Sequence, residues 1–113
     1  MENLNFLNEK ERQAVLKYKN FLFEEFPEKI VNFYLFGSKA RGDYHKESDI
    51  DILITLKDYD WKLGDEIRRI GYELDEDIDY KFSILIFSDS DFEKWKSGRF
   101  QFVKNVFKDG VPI

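Results

Sequence analysis

The chain has 113 residues, a formal net charge of -5, 42% hydrophobic and 36% charged residues, and no cysteine. That length suffices for one core that buries about two thirds of the unfolded surface and is too short for two, so residues 1–113 are expected to form a single domain. The acidic balance excludes a nucleic-acid backbone as the main partner, no apolar run approaches the roughly 20 residues of a membrane span, and the start MENLNFLNEKER lacks the order of a signal peptide; with no thiols to oxidise, the expected location is the cytoplasm.

Asn8 with Glu11 three residues on predicts a helix start, and Ala14, Val15, Tyr18, Phe21, Leu22 and Phe26 recur at helical spacing until Pro27 stops it. Ile30 to Phe36 is apolar except for Asn32, as expected of a strand covered on both faces. After Gly37 a short helix is expected near Ser38, then a polar loop from Gly42 to Glu47. Asp49 to Leu56 alternates, with Ile50, Ile52, Ile54 and Leu56 on one face and Asp49, Asp51, Leu53 and Thr55 on the other. Asp58 or Asp60 can cap a helix whose stripe is Trp61, Ile67, Ile70, Gly71 and Leu74. A third strand is expected from Ile78 to Phe87, a short helix capped by Ser88 and holding Phe92 and Trp95, and a last helix through Phe102, Val103, Val106 and Phe107 that ends at Gly110. The fold class is therefore α/β (α+β), a mixed sheet of three or more strands flanked by helices.

The charge is uneven. Lys57 to Asp79 carries nine acids against four bases, and Glu93 to Asp109 carries five bases against two acids; solvated helix faces account for both runs. Asp49 and Asp51 need a separate account. On one strand face they stand roughly 7 Å apart at the backbone, close enough for their oxygens to converge on a cation. Two like charges there need an offset, and hard oxygen donors favour Mg²⁺ or Mn²⁺ shared with substrate phosphates; a solvated strand edge is the alternative. Gly37 allows close backbone approach to a ligand, and Ser38 with the N–H groups that follow can seat phosphate oxygens. Taken alone, Gly37-Ser38 also fits an ordinary capped turn. Lys39 and Arg41 can neutralise phosphate, Arg41 through its planar fork. No GxxxxGK[ST] loop occurs, which disfavours an ordinary P-loop ATPase.

Joined, Gly37-Ser38, Ala40-Arg41-Gly42 and Ser48-Asp49-Ile50-Asp51 resemble the GSxARGxxxxxSDIDL signature of the nucleotidyltransferase superfamily that includes DNA polymerase beta, and in particular its small minimal nucleotidyltransferase (MNT) proteins. The likeness is strong over residues 34–56 and extends to the ending FVKNVFKDGVPI. It implies a nucleotidyltransferase-type sheet and a nucleoside triphosphate, ATP in the simplest case, bound by Gly37, Ser38, Arg41 and Ser48. It also implies Mg²⁺ (or Mn²⁺) held by Asp49 and Asp51, which serve as the catalytic acids. Members of the superfamily generally add a third carboxylate from the next strand. That position falls on Ser83 here, while Asp79, on the same face, lies four residues earlier and about 13 Å away by strand rise. His45 reads as a solvated loop residue.

The resemblance further implies transfer of AMP to a hydroxyl of a protein partner, in the manner of MNT antitoxins paired with a helical HEPN-type toxin. The alternative is a non-catalytic nucleotide-binding module that neutralises its partner by contact, with off-stripe aromatics such as Phe23 and Phe100 supplying an interface or a homo-oligomer contact. Small-molecule modification ranks third, because a domain this small leaves little room for an acceptor pocket.

Overall fold

The structure is a computed structural model, and it describes residues 9–36, 50–74, 82–96 and 111–112. Helix α1 (Glu9–Glu25) opens with Glu9 and Glu11, acids that favour the positive end of the helix dipole. Glu9 accepts from the Arg12 guanidinium at 2.7 and 2.9 Å and from Gln13 at 3.1 Å, and these bonds hold its carboxyl below the usual range. Ala14, Val15, Tyr18 and Leu22 are buried, the one-sided spacing that a packed helix requires. The chain leaves the helix at Phe26, whose N–H still reaches the Leu22 carbonyl at 2.8 Å, and Pro27 cannot extend the ladder. Phe21 departs from the expected stripe. It lies at the edge of the buried arc and is 43% exposed. Phe23, in turn, is no free interface residue: it packs, partly buried, against the core.

Strands β1 (Ile30–Phe36), β2 (Ile50–Leu56), β3 (Phe82–Ser88) and β4 (Val111–Pro112) form a mixed sheet in the order β3-β2-β1-β4. β1 runs antiparallel to both β2 and β4, and β2 runs parallel to β3. The β2–β3 crossover is helix α2 (Trp61–Leu74), as a parallel connection requires. β1 carries a bulge: Ile30 pairs Leu56 and Asn32 pairs Thr55, leaving Val31 extra and 40% exposed. The extra residue resets the alternation, so Ile30 joins Phe33 and Leu35 on the core face.

β2 is the centre. Every residue in it except Asp51 is buried. Ile50, Ile52, Ile54 and Leu56 pack with α1, with Ile67 of α2 and with Phe82, Ile84 and Ile86 of β3. Tyr18 stands at the middle of this layer. Its ring lies 5.6 Å edge-on to Phe33 and 5.7 Å stacked on Phe82, and its hydroxyl donates to the Ile67 carbonyl at 2.7 Å. Burial pushes the Tyr18 phenol up from its ordinary value, with Tyr72 adding to the shift.

Asp60, not Asp58, caps α2: its carboxylate accepts from the Lys62 N–H at 3.0 Å. Ile67 and Gly71 are buried, and Ile70 and Leu74 are partly so. Trp61 does not belong to the stripe. As the first residue of the helix it lies outside the packed arc, 63% exposed with the Lys62 ammonium 5.7 Å from its ring.

Helix α3 (Asp89–Lys96) covers the other face of the sheet. Ser88 caps it as expected, accepting from the Asp91 N–H at 3.1 Å. Phe92 packs on Leu53 and Tyr34, and Trp95 meets the Phe87 ring edge-on at 5.0 Å. The expected helices near Ser38 and through Phe107, the Asn8 cap, the beginning of the third strand at Ile78 and Phe100 lie outside the described residues. β4 was not expected: two residues carry no readable alternation, and its proline fits only an edge strand.

Candidate functional site

The strand pairings place Asp51, the last acid of the sequence signature, between β1 and β3. β1 ends at Phe36, and Phe36 is the Cα partner of Asp51. Gly37 and Ser38 follow Phe36 directly in the sequence. On the other side of Asp51 the parallel ladder pairs it with Ser83. One row across three strands is thus Phe36, Asp51, Ser83, with adjacent strands about 4.8 Å apart.

The row's surroundings follow from β2 being central. On the face that Asp51 shares with Leu53 and Thr55, α3 packs over the rows deeper in the sheet. Asn32 donates to the Thr55 hydroxyl at 3.1 Å and to the Asp89 carboxylate at 3.4 Å, and Phe92 seals Leu53. Asp51 and Ser83 lie one row beyond Leu53, and each is half-buried. Apolar packing behind the row, with Ile50 and Ile52 fully buried, fixes the backbone from which both side chains project.

Asp51 and Ser83 offer a carboxylate and a hydroxyl, hard oxygen donors that suit Mg²⁺ or Mn²⁺ and offer nothing to a thiophilic metal. Among the described residues no group of three or more His, Cys, Asp or Glu is placed to hold a metal. Of the sequence-predicted site residues, Asp51 is described; Gly37, Ser38, Arg41, Ser48 and Asp49 lie outside the described residues, as do Lys39, His45 and Asp79. Ser83 falls level with Asp51 in the parallel ladder. The polar group formed by Asn32, Thr55 and Asp89 was not legible beforehand, since its members are far apart in the chain and no local pattern links them.

A mixed sheet in the order β3-β2-β1-β4 with an acid near the head of β2 fits one class of protein, and the comparisons agree with it. Residues 15–112 match the nucleotidyltransferase domain family, and the chain belongs to that family. Two curated relatives from Methanocaldococcus jannaschii, each named "putative protein adenylyltransferase", are 49% identical over 45 residues and 39% identical over 46 residues. The matched segments cover 40% and 41% of this chain and 45% and 46% of the relatives, so the chain spans less than half the length of the curated relatives it matches. Among solved structures, the fold is similar to that of a mutant of the toxin–antitoxin MntA-HpeT, with a TM-score of 0.59 at 21% identity over 87% of this chain and 70% of that one. It is also similar to a toxin–antitoxin with AMP-PNP, with a TM-score of 0.58 at 23% identity over 88% and 69% of the two chains. A third, described as a "putative nucleotidyltransferase" from Sulfolobus solfataricus, gives a TM-score of 0.53 at 26% identity over 88% and 76%.

Proposed function

We propose that this chain, acting as one domain, is a divalent-cation-dependent nucleotidyltransferase that transfers AMP from ATP to a hydroxyl of a protein partner, and that it serves as the antitoxin of a pair with a helical HEPN-type toxin. The observation that supports this reading best is the pairing of Asp51 with Phe36, the residue that precedes Gly37 in the sequence. Family membership and the names of the relatives support the transferase class. The toxin–antitoxin structures of similar fold, one of them with AMP-PNP, support the setting and the nucleotide.

In this reading Gly37 admits the triphosphate close to the backbone, Ser38 and the N–H groups after it bind phosphate oxygens, and Ser48 and Arg41 complete the seat. Asp49 and Asp51 hold the cation jointly with the phosphates. When bound, Mg²⁺ supplies charge neutralisation on the leaving pyrophosphate and lowers the pKa of the attacking hydroxyl. The acceptor oxygen forms a bond to the α-phosphorus as the bond to pyrophosphate breaks, and the hydroxyl proton passes to a nearby carboxylate or to water. The chain's own share is positioning and neutralisation. No helix among the described residues is long and apolar enough to cross a membrane, so nothing in them ties the reaction to a bilayer, and we place it in the cytoplasm.

The test is transfer of radiolabel from α-labelled ATP with Mg²⁺ to a co-purified partner. Label on the partner with wild-type protein and none with Asp51→Asn supports the proposal. A second reading, a nucleotide-binding module that neutralises its partner by contact, draws on Ser83, a hydroxyl and not an acid, standing opposite Asp51 on the next strand. It would replace the first if wild-type and Asp51→Asn proteins formed equally stable, equally inhibited complexes with no label transferred.

A further inference from the structure

Ser83 is the second polar side chain in the row that carries Asp51. Residues paired across a ladder leave the sheet on the same face, so its hydroxyl projects beside the Asp51 carboxylate from a backbone about 4.8 Å away. The rest of that face of β3 is apolar, with Leu85 and Phe87 following Ser83 at alternate positions. Other polar side chains near this face have structural work: Asn32 binds Thr55 and Asp89, and Ser88 caps α3. By contrast, no hydrogen bond joins the Ser83 hydroxyl to another described residue. It is half-buried, held on a strand whose other face is locked into the core by Phe82, Ile84 and Ile86. A fixed hydroxyl that bonds no other described residue therefore stands next to the acid of the proposed site.

Taken with the cation–nucleotide site proposed at Asp51, on which it rests, this geometry points to Ser83 as a positioning residue that supplies a hydrogen bond but no charge. The consequence is an order of assembly. Affinity for a hard cation rises with the number of charged ligands, and a neutral hydroxyl adds none, so the site binds its cation weakly until the nucleotide's phosphates arrive with it.

The experiment is calorimetry with Mn²⁺ alone and with Mn²⁺ plus a non-hydrolysable ATP analogue, on wild type, Ser83→Asp, Ser83→Asn, Ser83→Ala and Asp51→Asn, with circular dichroism to confirm folding. Wild type is expected to bind Mn²⁺ weakly alone and much more tightly with the analogue. Ser83→Asp is expected to gain on the order of tenfold in affinity for Mn²⁺ alone, through an added charged ligand, while Ser83→Asn, similar in size and uncharged, gains nothing. Ser83→Ala is expected to bind the Mn²⁺–analogue pair about fivefold more weakly, the loss of one ordinary hydrogen bond. The inference is overturned if Ser83→Asp binds Mn²⁺ no better than Ser83→Asn, or if Ser83→Ala binds the pair as tightly as wild type; the alanine arm decides by itself should the aspartate variant not fold. Asp51→Asn separates the two readings. Undiminished binding in that variant removes the site itself, whereas lost binding there with unchanged Ser83 variants removes only the role of Ser83.

Discussion

Gly71 of α2 sits against the middle of the core, and replacing it with alanine sets two effects in opposition. An alanine in a helix interior is favoured over glycine by about 0.5–1 kcal/mol. The added Cβ, however, would lie 2.5 Å from Ile84 Cδ1, 2.8 Å from Tyr18 Cζ and 3.0 Å from the Tyr18 hydroxyl oxygen. The isoleucine methyl can rotate away. The Tyr18 ring cannot, because Phe33, Phe82 and the bond to the Ile67 carbonyl hold it on three sides. Overpacking against a fixed group costs about 1–3 kcal/mol, and loss of the Tyr18 hydrogen bond adds about 1 kcal/mol. Packing therefore outweighs propensity, and Gly71→Ala should destabilise by about 1–3 kcal/mol, which lowers Tm by about 5–15 °C in a domain of this size. Gly64 is the control in the same helix: its Cβ would meet Tyr59 atoms at 3.4–3.6 Å, ordinary contact, so Gly64→Ala should stabilise by about 0.5–1 kcal/mol. Urea and thermal unfolding of both variants beside wild type measure the difference. A Gly71→Ala protein as stable as Gly64→Ala would refute the reasoning, and rescue of it by Ile84→Val would show that the isoleucine, not the tyrosine, is the rigid neighbour.

Tyr18→Phe should cost about 1 kcal/mol at neutral pH. Because burial raises the folded-state pKa of Tyr18, its neutral form contributes stability that is complete below the unfolded value of about 10 and is lost as pH rises beyond it; urea midpoints at neutral and alkaline pH should fall further in wild type than in Tyr18→Phe. Ser88→Ala removes the cap on α3 and should destabilise by about 1 kcal/mol, while Ser88→Asp keeps it; equal urea midpoints for the two would discount the cap. With ATP and Mg²⁺ at about 100 times Kd, the wild-type protein should be stabilised by about 2.7 kcal/mol, and thermal shift should record the loss of most of the Mg²⁺-dependent part in Asp51→Asn; an undiminished shift would remove Asp51 from the cation site.

Much of the fold was legible where one period ran long enough. The alternation of β2 and β3 and the arc of Ala14, Val15, Tyr18 and Leu22 emerge in the structure as read. Two aromatics were misjudged for one reason: Phe21 and Trp61 fit a helical period, but a period does not say how wide the packed arc is or where along the helix the sheet ends. The Val31 bulge and β4 depend on pairing partners remote in sequence, which no local window contains. For the site, residue order alone placed Asp51 in a signature. Its neighbours Phe36 and Ser83 are products of the ladders: the pairing with Phe36 is antiparallel, and the pairing with Ser83, anticipated only through the family resemblance, is parallel and depends on the crossover through α2.

The Val31 bulge also makes one position in a core strand dispensable. Elsewhere in β1 the loss of a residue would turn everything before it to the opposite face. At Val31 it would do the reverse: Ile30 would follow Asn32 directly in the ladder, still opposite Leu56 and still facing inward, and the pairing with β2 would become continuous. A chain one residue shorter at this point should therefore fold with the same interior. Length variation among sequences of this kind, normally a mark of surface loops, is to be looked for here inside a strand.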